Sequence, residues 1–311
     1  GAWAMALNQS TPAALLTMMT GLSMYHDLTA TWMVGEAIFH SGESACANSS
    51  IEVYGQWLSH MALLTSRLDH IEEAAHLAEQ CLSLLAARQP ENIPAVSRAL
   101  IVRGIIEDTR GHHTEAQQYY SHALHLRESI GDTWGCANCY INLAGAWARQ
   151  GDFASARRLA EAGLTLGMAS GSPWLITRLQ LVLGLIAEMN GELERATELH
   201  LANLATFEAQ NNTEGRALTY NGLGLVALKQ QHHERAYEYF SQALDLNRQL
   251  GVPQWEAHTT LRLGETLRAT GDKHTALHHF RESLRLYRIL GHDEQIGLLE
   301  EMIGALVHEL G

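Results

Sequence analysis

A small residue returns at a step of about forty along most of this chain, and that period limits the fold more than any other feature. Ala74, Ala116, Ala156, Ala196, Ala236 and Ala276 are separated by 42, 40, 40, 40 and 40 residues. A leucine stands eight residues after each, at Leu82, Leu124, Leu164, Leu204, Leu244 and Leu284. A second small residue stands twelve before, at Ala62, Gly104, Ala144, Gly184, Gly224 and Gly264. Three columns in one register imply a repeated unit, and a unit this short cannot bury its own apolar face, so neighbours must stack.

Within one unit the pattern predicts two helices. In "ALTYNGLGLVALKQQHHERAYEYFSQALDLNRQLGV" apolar residues recur at steps of three and four on both sides of "KQQHH", as expected of a helix pair packed face to face. The break carries Gly111, Gly151, Gly191 and Gly271, with Asp69 and Gln231 in the same column of the other two units. Glycine ends a helix cheaply because it tolerates positive φ. Pro173 and Pro253 stand where a new helix begins, a position whose amide hydrogen has no partner to lose. Gly or Ala at a helix crossing sets the packing distance, while the aromatic column Tyr120, Phe240 and Phe280 fills the space beside it.

These columns resemble the tetratricopeptide repeat. The small position of the first helix (Gly104, Ala144, Gly184, Gly224, Gly264), the Ala of the second helix and the later "HAL" at 122–124 and "QAL" at 242–244 carry the resemblance. The usual unit has about 34 residues, and the longer unit here, as in "INLAGAWARQGDFASARRLAEAGL", is similar to the sensor repeats of MalT-like regulators and related STAND signal-transduction ATPases, of kinesin light chain and of bacterial peptide-responsive regulators. The resemblance implies an all-α, right-handed superhelical solenoid of about seven helix-turn-helix repeats plus a C-terminal capping helix. The whole chain, 1–311, is expected to form a single solenoid with units at about 12–44, 51–90, 91–132, 133–172, 173–213, 214–252 and 253–292 and a cap helix at 293–310. The first unit is degenerate, with "LLTMMTGLSMYHDL" and "TWMVGEAIF" as its helices.

The resemblance also implies that first helices line a concave groove. With the small residue as position eight, positions two, five, six and nine face the ligand. They supply an apolar floor, including Ile101, Ile141, Leu181, Leu261 and Ile105, flanked by Arg98, Asn138, Asn142, Arg178, Asn221, His258 and Arg262. Position six also carries His60. Guanidinium grips carboxylate bidentately, and Asn can bond an extended backbone through both donor and acceptor. Three arginines in these columns, on a chain of net charge -13, point to an anionic or carboxylate-bearing ligand. The same residues also fit a plain solvated helix face. A chaperone-tail carboxylate clamp is absent, since no lysine occupies its columns.

Other chemistry finds little support. With 21 Lys and Arg against 34 Asp and Glu, the balance argues against direct nucleic-acid binding, which rests on neutralising phosphates. No run of about 18 uncharged apolar residues exists, so no membrane span is expected. The N-terminus "GAWAMALNQS" lacks the basic and apolar segments of a signal peptide, and its Gly in place of Met is expected of a tag scar or of a fragment of a longer chain. Four cysteines at irregular spacing fit a reducing, cytoplasmic setting. Cys136 and Cys139 form "CANC" at a helix start that could depress a thiol pKa, but no strand precedes them and no second CxxC exists to complete a zinc site. His274 and His278 share a helix face, yet it is the outward one and carries no HExxH frame, so neither a metal nor a cofactor is expected. Trp134, Trp174 and Trp255 recur near first-helix starts as wedges between units.

The reading that follows is a non-enzymatic binding module. It takes a peptide, protein segment or small-molecule inducer in the groove, as the sensor domain of a larger bacterial signal-transduction or transcription regulator, with other domains of the same longer chain as further partners. A constitutive protein-protein scaffold without a switch is the alternative. A redox or metal enzyme using the Cys and His sets, and an antagonist of a DNA-binding regulator, are more distant ones.

Overall fold

The computed structural model of the protein describes residues 12–29, 31–85 and 92–310. Among the described residues it is all-α, with sixteen helices. These are α1 (Pro12–Thr29), α2 (Trp32–His40), α3 (Glu43–Ala47), α4 (Ile51–Arg67), α5 (Ile71–Leu85), α6 (Ile93–Thr109), α7 (His113–Ser129) and α8 (Thr133–Arg149). There follow α9 (Phe153–Ala169), α10 (Pro173–Met189), α11 (Leu193–Ala209), α12 (Thr213–Lys229), α13 (His233–Leu250), α14 (Pro253–Ala269), α15 (Lys273–Leu290) and α16 (Asp293–Leu310). None among the described residues is long and apolar enough to cross a membrane.

Two columns of left-handed residues cut the chain at half-repeat steps. The expected inner break shows φ of 77° to 89° at Gly111, Gly151, Gly191 and Gly271, and Asp69 and Gln231 adopt 64° and 61° in the same column. A second column follows twenty residues later, with Gly131, Gly171, Gly251 and Gly291 at 64° to 74° and Asn211 at 51°. Immediately after the left-handed residue, Asp132, Asp152, Asn212 and Asp272 each cap the next helix. Their carboxylate or amide oxygens accept from the backbone N–H three residues on, at 2.8 to 3.1 Å. One residue in αL and one N-cap turn the chain through a full reversal in three positions, leaving helices of 17 or 18 residues for the remainder.

The small columns work as expected. A Cβ built on Gly224 or Gly264 meets the ring of Phe240 or Phe280 at 2.6 Å, and one on Gly104 overlaps Tyr120. Each ring is fully buried against the crossing. Three units depart from this ring-on-glycine pairing: Ala78 and Ala160 hold the ring position where Ala62 and Ala144 hold the glycine position, and His200 takes the ring position against Gly184. His200 is also flanked by Gly222, so an imidazole fills the slot between two glycines.

The chain divides into two compact units, Gly1–Val182 and Leu183–Gly311. In the first, α4 pairs with α5, α6 with α7 and α8 with α9, and each pair packs on the next through α5 on α6 and α7 on α8. First helices also touch directly, α4 on α6 and α6 on α8. The expected first repeat is present as α1 and α2, extended by the short α3, and Trp57 of α4 anchors it by donating to the Phe39 carbonyl at 2.9 Å. In the second unit α12 pairs with α13 and α14 with α15, while α16 closes on α15 through Leu299 and Leu306. The junction of the second and third expected repeats, 86–91, lies outside the described residues.

Candidate functional site

In the first unit the concave side of α4, α6, α8 and the start of α10 encloses a cavity of about 420 Å³. Arg98, Asn138, Asn142 and Arg178, four of the seven residues marked by the repeat columns, line it. So do Gln56, His60, Ile101, Ile105 and Ile141 from the same columns, which form its apolar floor and one polar wall. Leu16, Thr20 and Ser23 of α1 add a further side.

The wall around Arg98 is unusual in its charge. Arg98 Nη1 donates to Ser59 Oγ at 2.6 Å and to Gln56 Oε1 at 3.3 Å, both neutral acceptors. Desolvation first, and the neighbouring Arg127 guanidinium second, push its pKa down to about 9, so it remains a cation at neutral pH. Arg127, from the last turn of α7, is paired with Asp132 and also donates to the Pro94 carbonyl at 3.1 Å. His60 is 1% exposed, and neither ring nitrogen has a hydrogen-bond partner among the described residues. Burial, then Arg98 and Arg127, hold its pKa well below the usual histidine range, so its imidazole is neutral. At the opposite side Trp134 and Trp174 stack at 5.6 Å with planes 16° apart, and the Arg178 guanidinium sits 5.5 Å from the Trp174 ring centre.

Column reasoning missed several of these groups. Arg127 and Arg67 lie at the ends of helices, outside the four ligand-facing positions, yet both line the cavity. An Arg five residues before a capping Asp at a helix break was the available signal for Arg127. The tryptophans expected as wedges do meet across consecutive repeats, and their faces also belong to the cavity wall.

The other three marked residues lie in the second unit, where Asn221 and His258 line a cavity of about 400 Å³ with Leu218, Gln254 and Trp255. Here most of the polar groups bond one another, although Asn247 Oδ1 and Arg262 Nε are left without a partner among the described residues. Asn221 Oδ1 accepts from Thr259 Oγ1 at 3.0 Å, Thr259 accepts from Asn247 at 2.9 Å, and Asn221 Nδ2 donates to the Ala217 carbonyl at 3.2 Å. Burial, then Arg262, lowers the His258 pKa to about 4. Arg262 itself is paired with Glu265 at 2.8 Å.

The "CANC" thiols run opposite to the expectation from their helix start. Cys136 and Cys139 are buried, and burial raises both pKa values, that of Cys139 to about 12, so the helix terminus is outweighed by desolvation. His274 and His278 are exposed on α15, and among the described residues no three His, Cys, Asp or Glu side chains converge as a metal site would require.

Comparison with known proteins agrees with the repeat columns. Tetratricopeptide repeat family models match residues 215–289 and 136–166. No curated protein sequence matches the chain. Among solved structures it is similar to a Rap protein complexed with competence and sporulation factor, at 12% identity and a TM-score of 0.69 over 96% of this chain and 87% of that one. It is similar to NprR in complex with its cognate peptide NprX, at 12% identity and a TM-score of 0.67 over 94% and 88%. A STAND protein with a tetratricopeptide repeat sensor from Pyrococcus horikoshii matches at 13% identity and a TM-score of 0.53, over 95% of this chain and 44% of that one. At such identities the likeness is one of fold.

Proposed function

From a chain with the tetratricopeptide-repeat fold, we propose a non-catalytic binding module that takes a peptide, protein segment or small inducer in the cavity of its first unit, as the sensor of a larger signal-transduction or transcription regulator. Proteins of this repeat type are generally binding modules. The observation that carries the reading is convergence: four residues marked by the repeat columns, Arg98, Asn138, Asn142 and Arg178, share one cavity with an apolar floor. Its size is in the range of small-ligand sites, about 300–1,000 Å³. The similar structures add support at the level of fold, since two of them are a Rap protein with its factor and NprR with its peptide.

A sensor needs a ligand that binds one conformation more tightly than another, and stacked repeats supply the compliance because each touches only its neighbours. The test is capture: random octapeptides and a source-cell extract are passed over the protein and over an Ile141→Trp variant that fills the cavity floor. Retention by the first and a loss of about tenfold or more in the second, the effect of one strong contact, supports the reading. Arg178→Ala is expected to weaken the same binding with little loss of stability. Retention that Ile141→Trp leaves unchanged overturns the site, and retention of large proteins alone by both favours a constitutive scaffold.

A further inference from the structure

Resting on that reading, and naming the chemistry of its ligand, we propose that the wall formed by α4 and α6 is a seat for the carboxylate of an apolar acid, gripped by the Arg98 guanidinium. The acid is either a free organic acid or the C-terminus of a peptide, two sources with one recognition chemistry.

The argument begins with an inventory of charge. Four guanidiniums, those of Arg67, Arg98, Arg127 and Arg178, line the cavity with one carboxylate, Asp132. Asp132 is already spent: one oxygen pairs with Arg127 and the other accepts the Gly135 N–H at 2.8 Å to cap α8. Arg98 spends only Nη1, on neutral Ser59 and Gln56, and no carboxylate among the described residues is within ion-pair distance of it. A desolvated cation with no carboxylate at ion-pair distance raises the free energy of the empty protein.

One planar carboxylate answers this. It can accept two parallel N–H bonds from the guanidinium fork. His60 beside it is neutral, and Arg127 is already balanced by Asp132. Arg98 is thus the wall's cation with neutral hydrogen-bond partners, and it suits a monoanion better than a phosphate dianion held near the Asp132 carboxylate. Ile101 and Ile141 on the floor and Trp134 on the facing wall give the ligand's apolar body its contacts.

The experiment uses the full chain and matched probes: 3-phenylpropionate against its primary amide, and a pool of apolar octapeptides with free C-termini against the same pool amidated. Affinity is read by calorimetry for the small acid and by retention for the pools. The expected result is a preference of about tenfold or more for the acid form, abolished in Arg98→Gln and reduced but present in Arg98→Lys, with circular dichroism reporting that each variant is helical. Binding by 3-phenylpropionate alone identifies a free acid as the source, and binding by the free peptide pool alone identifies a C-terminus. Equal binding of acid and amide overturns the carboxylate seat. The cavity itself survives that outcome if Ile141→Trp abolishes the binding. An acid preference that persists in Arg98→Gln places the seat elsewhere, and no binding by any probe overturns both this inference and the reading beneath it.

Discussion

The second position of the repeat's first helix puts Arg98 and Arg178 into the wall of the first unit's cavity, whereas the second unit fills it with Leu218 and His258 and moves its arginine to Arg262, four residues on. There the charge is cancelled by Glu265 one turn away, and Asn221 is tied into a chain of hydrogen bonds through Thr259 to Asn247. In the first unit Arg98 faces only neutral acceptors and His60 has no partner among the described residues. The same scaffold thus holds a second-unit arginine matched by a carboxylate, with Asn247 Oδ1 and Arg262 Nε still unbonded among the described residues, and a first-unit arginine whose hydrogen-bond partners are neutral. A cation with no carboxylate at ion-pair distance costs stability, and the proposed ligand would offset that cost.

A buried ion pair sharpens this contrast most. Near the end of the first helix of a repeat, Asp108 meets Arg149 in one unit and Glu188 meets Lys229 in the other, each pair 41 residues apart. Asp108 also accepts from His113 at 2.8 Å, while among the described residues Glu188 pairs with Lys229 alone and leaves Oε2 unbonded. Lys229→Ala should therefore lower stability by about 2 kcal/mol, since it strands a buried carboxylate. Arg149→Ala should cost about 1 kcal/mol or less, because His113 remains. Urea midpoints of the two variants read the difference, and equal losses break the argument.

His200 offers the next largest effect, in the opposite direction. Its ring stands where Phe240 and Phe280 stand in later repeats, with both nitrogens unbonded among the described residues and its pKa lowered to about 4 by burial. His200→Phe should raise stability by about 1–2 kcal/mol by removing two buried unsatisfied atoms. The unfolded chain binds a proton near pH 6.5 and the folded one only near 4, so the wild type loses stability as pH falls through that window. The variant should lose less over the same range, and a parallel pH profile would mean that His200 is hydrogen-bonded in solution.

Arg98→Met should stabilise the empty protein by about 1 kcal/mol, the signature of a group kept at a cost. Arg262→Met, which removes a half-exposed i,i+3 pair, should move the thermal midpoint by the equivalent of about 0.5 kcal/mol or less. A larger loss at Arg98 than at Arg262 would make Arg98 structural. Another small effect is expected at Gln231, held at φ 61° in a column otherwise given mostly to glycine. Gln231→Gly should gain about 0.5–1 kcal/mol.

Much of the fold was legible because repetition multiplies a weak local signal. One glycine between apolar runs predicts little, but Gly111, Gly151, Gly191 and Gly271 in step with three other columns predict a helix pair, and the structure adds that Asp69 and Gln231 in the same column adopt the glycine conformation. The second break column, Gly131, Gly171, Gly251 and Gly291 with Asn211, carries the same glycine signal, whereas the Asp and Asn caps that follow the breaks look like ordinary surface residues. His200 escaped notice for a related reason: pattern reading shows that a ring is due there, not that an imidazole left without partners will occupy it.

The site divides along the same line. Which faces of the first helices look inward is what the family resemblance carried by the period implies, so Arg98, Asn138, Asn142 and Arg178 were marked in the sequence along with Asn221, His258 and Arg262, and the first four share one cavity. Arg127 could not, because it comes from a second helix and enters the cavity only through the geometry of the α7–α8 turn and its bond to Asp132. Nor could the sequence tell Arg98 from Arg262, since both are arginines in groove columns. Periodicity is a property of the chain and fixes direction, whereas charge compensation is a property of three-dimensional neighbours. Glu265 stands at ion-pair distance from Arg262, and among the described residues no carboxylate stands at ion-pair distance from Arg98, a fact that distances alone decide.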